Sequence, residues 1–557
     1  MLKKYAVTLI LFITFWSGSH AGTFKVAIAS AHPLATDAGL EIIRKGGNVF
    51  DAAVAVSAAL AVVEPTGSGL GGGGYWLLHR EIDALDTLID GREKAPLAAH
   101  KAMFLDKKGN AVPNLSLDGA LAAAIPGLPA ALVHLSEKYG RLPLSESLRP
   151  AIRYAQNGFA VGNKYLKLLK FRAEVLKKYP QTAKIFFTDG EFPKAYSILR
   201  QADLANTLNR LAIAGRAGFY NGDIADKLVN TVRKAGGIWT QEDLDNYQIV
   251  ERKPVTGDYH GIKITSAAPS SSGGIVLIEA LNILSDYDLQ HADAITQKHL
   301  ITEAMRRAYH DRALYLGDSD FIDIPVKRLL SKDYAAGLRS SIRSDKTLPS
   351  ALLSGDDLPQ PEGTHTTHFS IIDDTGNRVA ATLSINFPFG SGFVAEGTGV
   401  LLNDEMDDFV SHKGANGYGL VGGTANAIVP GKRMLSSMTP TFLEDGPRIA
   451  VLGTPGGSRI ISMVLLAALD FAQGNTPESW VNLPRFHHQF MPDVLEYEQN
   501  ALTDAELAGL VARGHQTQEA RYRYGDMQAA MLDKTTHTLS AASDRRGEGR
   551  AVVGGLE

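Results

Sequence analysis

The run Thr366-Thr367-His368-Phe369-Ser370-Ile371-Ile372 alternates as a strand does, and it follows a segment of neither helical nor strand periodicity. That segment, Ser344 to His365, carries Pro349, Pro359, Pro361, Asp356, Asp357 and Gly363 and is predicted to be a loop suited to cutting. Breaking the His365–Thr366 peptide bond would put an α-amine and a hydroxyl on one residue. Base and nucleophile would then be present without a separate histidine. An α-amine suits the role of base, because its pKa of roughly 7.7 to 8.0 lies far nearer neutrality than that of a lysine. Taken alone, however, a threonine that starts a strand after a polar loop is an ordinary structural residue, so the reading depends on what surrounds it.

Other stretches offer complementary chemistry. The 55 glycines cluster at Gly67 to Gly74, Gly390 to Gly399 and Gly453 to Gly457, a sign of tight turns or close backbone approach. Gly453-Thr454-Pro455-Gly456-Gly457-Ser458-Arg459 lies between a predicted strand and a predicted helix. Backbone N–H groups at such a junction can converge as an oxyanion hole, although a plain strand-to-helix turn uses the same residues. Asp404, Glu405, Asp407 and Asp408 fall within Leu401 to Phe409, where the later glycine and glutamate of a calcium loop are missing. A solvated acidic turn, or a carboxylate pair that captures a substrate ammonium, remains. Gly69, Gly71 and Gly74 fit GxGxxG by spacing but open a strand instead of a helix, which argues against a dinucleotide site. No Walker loop, HExxH or GxSxG is present. No motif implies a metal or an organic cofactor.

The elements that must position these residues follow from periodicity. Phe24 to Ala29 is predicted as a strand, and Leu34 to Lys45 as a helix closed by Gly46-Gly47. A second helix is expected from Asp51, as N-cap, through Val63 before Pro65. Tyr75 to His79 is a strand. Leu115 to Leu338 reads as mainly helical, with isolated strands such as Ile262 to Ser266. Thr366 to Asp373 and Arg378 to Ile385 form a hairpin through Asp374-Thr375-Gly376-Asn377. Arg448 to Gly453 is a strand, Ser458 to Ala472 a helix, and Met527 to Asp533 with Thr538 to Ala542 a further hairpin. Thr366 therefore divides a helix-rich first part from a strand-rich second part.

Composition restricts the function classes. Lys3, Lys4, the apolar run Tyr5 to Trp16 and Ser19-His20-Ala21 have the pattern of a cleavable export signal over residues 1–21. The apolar run falls short of the about 20 residues a membrane-spanning helix needs, so no membrane anchor is expected. The endpoint of export is read as the periplasm, with release from the cell having the same signature. Cysteine is absent, which rules out disulfides, thiolate metal sites and a cysteine nucleophile. With 56 Lys and Arg against 60 Asp and Glu, the net charge of −4 is spread over both signs without the basic stripe nucleic acid requires.

Together these motifs resemble the γ-glutamyltranspeptidases across nearly all of the chain after residue 21. The resemblance rests on Ala31-His32-Pro33-Leu34-Ala35, Gly46-Gly47-Asn48 and Asp51 to Ala55; on Glu64-Pro65 with Ser68 to Gly74; and on Asp90-Gly91-Arg92-Glu93. Thr366-Thr367-His368, Asn403 to Phe409, Leu435 to Thr441, Pro455 to Arg459 and Pro484 to Gln489 complete it. It implies an α/β (α+β) fold of the N-terminal nucleophile hydrolase kind, an αββα sandwich formed by two subunits from one precursor. Residues 22–365 would form the large subunit and 366–557 the small one, with the nucleophile at the new N-terminus.

The same resemblance implies the chemistry and the site. The precursor would cut itself before Thr366 by an N-to-O acyl shift. Thr366 would then attack the γ-carbonyl of glutathione or a related γ-glutamyl compound, and the acyl group would pass to water, an amino acid or a dipeptide. Gly456 and Gly457 would hold the oxyanion. Arg92, with the Ser436 and Ser437 hydroxyls, would take the α-carboxylate, and Asn386, Glu405 and Asp408 the α-ammonium. Water is expected among these charges when the pocket is empty. Ser384 stands where many relatives carry a threonine that contacts the nucleophile, and Tyr418 matches the tyrosine of a lid loop. A related self-cleaving acylase, for cephalosporins or polyglutamate, is the alternative, and a non-catalytic exported binding protein the remaining one. Arg92, Asp408 and the lid favour the γ-glutamyl reading.

Overall fold

The computed structural model describes residues 24–353, 366–410 and 423–556. The export pattern of residues 1–21, His365 and Tyr418 lie outside the described residues.

Two antiparallel sheets face each other between layers of helix. The first has seven strands in the order Arg550–Gly555, Lys25–Ser30, Thr367–Asp373, Arg378–Ser384, Gly73–Arg80, Leu85–Gly91 and Val250–Arg252. The second has six: Thr538–Ser543, Gln528–Asp533, Arg448–Gly453, Thr441–Asp445, Ile262–Ser266 and Val255–Tyr259. Each sheet draws strands from both sides of Thr366. The helix-rich and strand-rich parts thus share their sheets and are not separate bodies.

Strand alternation sorts the side chains into layers. Ile28, Ile371, Val379 and Ala381 pack into the core under the helices Pro33–Arg44 and Val49–Val63. Ala27, Ile372 and Ala380 point the other way, into the core shared with Phe442, Val451 and Ala530 of the second sheet. The helices Gly273–Leu284 and Ile460–Ala472 cover that second sheet. Every residue of Val49–Val63 is buried, which explains a helix apolar on all faces.

Local signals account for most boundaries. The helix Val49–Val63 is capped by Asn48, whose side chain accepts from the Phe50 and Asp51 N–H groups, while Asp51 receives the Asn48 N–H. Asp51 is therefore the third residue of a capping box, a correction to its expected place as N-cap. The hairpin joining Thr367–Asp373 to Arg378–Ser384 forms as expected, with Asp373 Oδ1 accepting the N–H groups of Thr375, Gly376 and Asn377. The helix expected from Ser458 begins as a short 3-10 turn, Gly457–Arg459, before Ile460–Ala472. No helix of the described residues is long and apolar enough to cross a membrane.

Candidate active site

Period-two alternation decides where Thr366 can point. Phe369 and Ile371 face the helical layer, so His368 and Ser370 face the second sheet, and Ser370 Oγ donates to the Gln528 carbonyl there at 3.0 Å. Thr366, two residues before His368, falls on that inner side. It is 8% exposed and lines a small cavity with Ser384, Asn386, Arg92, Glu405, Asp408, Ser436, Ser437 and Gly457. The register pairs Leu383 with Thr367 and places Ser384 across from Thr366. The glycine cluster permits this: a Cβ at Gly72 would lie 2.1 Å from the Ser384 carbonyl oxygen. Residues from five separate stretches thus converge on one threonine.

Thr367 points to the opposite layer, where its hydroxyl donates to Glu64 Oε2 at 2.6 Å. Lys164 Nζ bridges Glu64 Oε1 at 2.9 Å and Asp526 Oδ2 at 3.0 Å, and the Asp526 N–H donates to Thr454 Oγ1 at 3.1 Å. Thr454 starts the Gly456-Gly457 turn, so this network ties the strand that Thr366 leads to the loop facing it. Gly456 has φ +146° and Gly457 φ +57°, conformations that a side chain would strain. Gly457 lines the cavity beside Thr366.

The charged end of the cavity is more compact than expected. Arg92 Nη2 donates to Asp408 Oδ2 at 2.5 Å, and Nη1 lies 2.6 Å from Glu405 Oε2. The Glu405 contact is an ion pair without a well-aimed N–H, since both Glu405 oxygens lack an aligned donor. These buried charges contact one another directly, so none of the three is left without a charged partner. Burial alone would lower the Arg92 pKa, but Glu405 and Asp408 overcome it and hold the guanidinium protonated. Burial raises Glu405 and Asp408 above the usual carboxylate range, and Arg92 only partly offsets this. Asn386 sits at φ +70°, a region asparagine tolerates. Its N–H donates to Ser384 Oγ at 2.8 Å and its Nδ2 to the Asp404 carbonyl at 3.0 Å.

The structure adds residues that sequence patterns did not single out. Arg312, from the helix Ala294–Tyr315, lines the cavity, and its Nη2 donates to Ser437 Oγ at 3.2 Å. The loop Ser270-Ser271-Ser272 straps the serine pair: Ser272 N donates to the Ser436 carbonyl at 2.9 Å, and Ser271 Oγ to the Met438 carbonyl at 2.6 Å. One signal was available in the sequence. Glu303, Arg306, Arg307 and Arg312 lie on a single helix, an unusual density of buried charge that the Glu303 ion pairs to Arg306 and Arg307 help to offset. As for metal, His299, Glu303 and His515 bring ligating atoms within 4.8 Å of one another. Arg306 and Arg307 both pair with Glu303, and their charge opposes a cation. His299 Nε2 faces the Arg343 carbonyl at 2.7 Å, which leaves Nδ1 to accept from His515 Nε2 at 2.7 Å, so the cluster is a hydrogen-bonded brace.

Two facing sheets between helices, with a threonine at the head of a central strand and opening into a polar cavity, define an N-terminal nucleophile hydrolase. The family model for gamma-glutamyltranspeptidase matches residues 35–554. The chain belongs to the gamma-glutamyltranspeptidase family. It is 44% identical over 494 residues to a glutathione hydrolase proenzyme of Pseudomonas sp. (strain A14), covering 87% of this chain and 85% of that protein. It is 42% identical over 530 residues to the glutathione hydrolase proenzyme of Escherichia coli (strain K12), covering 93% and 90%. Among solved structures, the Helicobacter pylori gamma-glutamyltranspeptidase matches with TM-score 0.56 and 43% identity over 58% of this chain and 93% of that one. A cephalosporin acylase from Bacillus halodurans matches with TM-score 0.85 over 98% and 99%, at 28% identity. The acylase alternative is thus similar chiefly in fold, and the stronger sequence matches are glutathione hydrolases.

Proposed function

We propose that this protein is a self-cleaving γ-glutamyl transferase and hydrolase acting on glutathione and related amides through a threonyl acyl-enzyme. The observation that carries the reading is the cavity itself: one threonine at the head of a strand shares it with an arginine, two carboxylates and two serines. A γ-glutamyl donor has a reacting carbonyl at one end and paired opposite charges at the other, and this arrangement suits both.

Maturation begins when the Thr366 hydroxyl attacks the His365 carbonyl carbon. The peptide C–N bond breaks, the acyl group moves to oxygen, and water hydrolyses the ester to leave chains 22–365 and 366–557 with a free amine on Thr366. In turnover that amine accepts the hydroxyl proton while the oxygen attacks the γ-carbonyl. The negative oxygen of the tetrahedral intermediate takes hydrogen bonds from the Gly456 and Gly457 N–H groups, each such donor contributing about 3 kcal/mol. The proton passes to the departing nitrogen as the C–N bond breaks, and water or an amino acid or dipeptide then takes the acyl group by the reverse steps. Ser384 supports the nucleophile across the strand pair. Arg92, Ser436 and Ser437 read the α-carboxylate, and Asn386, Glu405 and Asp408 the α-ammonium. Donor entry therefore exchanges the internal Arg92 ion pairs for pairs with the substrate. Tyr418 is proposed as the lid, and the chain as an exported, periplasmic enzyme, supported by the pattern of residues 1–21.

Donor discrimination tests the site. Purified protein should cleave γ-glutamyl-p-nitroanilide in preference to glutaryl and α-glutamyl analogues, and Asp408→Ala should erase the preference over glutaryl. An intact preference in Asp408→Ala would overturn the ammonium assignment.

A further inference from the structure

Arg312 is a buried cation that the mechanism above does not use. It is 4% exposed, and among the described residues no carboxylate oxygen lies within 4.0 Å of its guanidinium. Burial lowers its pKa to about 10, and the more distant Asp408 offsets this only in part. Arg92, by contrast, is held between Glu405 and Asp408. Both carboxylates contact Arg92 directly and neither contacts Arg312, so the more positive side of the cavity is the Arg312 side, where Ser437 sits.

Hydrogen-bond direction sharpens the point. A guanidinium has donors only, so Ser437 Oγ must accept from Arg312 Nη2 at 3.2 Å, and its single hydroxyl hydrogen is left to donate elsewhere. Ser272 shows the same logic completed: it accepts from Arg312 Nε at 2.9 Å and gives its hydrogen to the Ser436 carbonyl at 2.7 Å. Ser436 Oγ accepts the Met438 N–H at 3.0 Å, so its hydrogen is likewise left to donate. Two hydroxyl donors beside a cation without a direct carboxylate contact suit an anion and offer a neutral group much less.

Resting on the reading of this cavity as a γ-glutamyl donor site, we infer that Arg312 is a specificity-determining positioning residue. It acts through Ser437 and Ser272: it fixes the Ser437 hydroxyl as a donor, holds the Ser436 backbone through Ser272, and supplies the charge that selects donors ending in a carboxylate.

The test compares γ-glutamyl-p-nitroanilide with its α-carboxamide counterpart in the wild-type full chain, Arg312→Met, Arg312→Lys and Ser437→Ala. The readout is the ratio of kcat/KM for the two donors, with KM and kcat separated. Arg312→Met should reduce the carboxylate preference by at least about tenfold, the scale of one hydrogen bond to a charged group, with the loss in KM. Arg312→Lys should recover part of it by restoring the charge. Ser437→Ala should lose less than Arg312→Met, because it keeps the charge, and the double variant no more than Arg312→Met alone. If Arg312→Met does not mature, the lysine and alanine variants decide, because an unchanged ratio in both overturns the inference. Equal losses for both donors would also overturn it. A wild type that cleaves neither donor would instead remove the donor-site reading beneath it.

Discussion

Removing the Arg92 guanidinium should turn a neutralised cluster into a buried acidic one, with a pH signature set by the structure. Arg92→Met leaves Glu405 and Asp408 facing each other without their cation, next to Glu93. Arg92 and Glu405 are 1% exposed and Asp408 13%, so solvent offers little relief. Breaking such a buried pair from one side costs about 3 to 5 kcal/mol when the orphaned groups stay charged. They need not stay charged. With folded-state pKa values already above the unfolded 4.5 and 3.8, loss of Arg92 raises them further. Groups raised in this way add stability below their unfolded pKa and lose it as pH rises through the folded one, by about 1.4 kcal/mol per pH unit per proton. The deficit of Arg92→Met should therefore be small near pH 4.5 and grow to several kcal/mol by pH 8. Urea unfolding of the variant and its parent, both in a Thr366→Ala background so that one chain unfolds, measures it. Adding Glu405→Gln and Asp408→Asn should recover most of the loss at pH 8. A deficit that is under about 1 kcal/mol at pH 8, or the same at both pH values, would refute the compensating role.

Two further outcomes concern the layer behind the nucleophile. Burial lowers the His368 imidazole to about 3 from 6.5, so its contribution is complete above pH 6.5 and is lost as pH falls toward 3, about 2 kcal/mol by pH 5. His368→Gln should flatten the fall in urea stability between pH 6.5 and 5 by that amount, and an unaltered slope would show that the histidine is not held neutral. Lys164→Met leaves Glu64 and Asp526 unneutralised; with the lysine 29% exposed, the expected cost is about 2 kcal/mol, read as a lowered thermal midpoint. Maturation should slow as well, because Thr367 loses a fixed Glu64 to donate to, and cleavage at the normal rate would count against that link.

Much of the architecture was legible because strand alternation and turn chemistry are local. The Asp374 to Asn377 turn fixed the hairpin register, and that register placed Ser384 across from Thr366. Asp51 shows the limit: Asn48 and Asp51 are both good capping residues three apart, and only the backbone decides which is the cap. The charged end shows a different limit. Arg92, Glu405 and Asp408 were identified, yet their mutual pairing depends on bringing residues 92 and 405–408 together, a long-range fact. Arg312 was missed because a run of charges on one helix reads as a solvated face until its burial is known. Its role depends on Ser437 and Ser272, which the chain order keeps far apart.

The central claim is that Thr366 performs two reactions, first on its own backbone and then on a γ-glutamyl amide. Denaturing electrophoresis of purified wild type and Thr366→Ala, with N-terminal sequencing of the smaller product, tests it most directly. The account predicts two wild-type chains, the smaller beginning at Thr366, and one uncut, inactive chain for the variant. A wild type that stays whole yet hydrolyses the donor, or a variant that still cuts before residue 366, would contradict it.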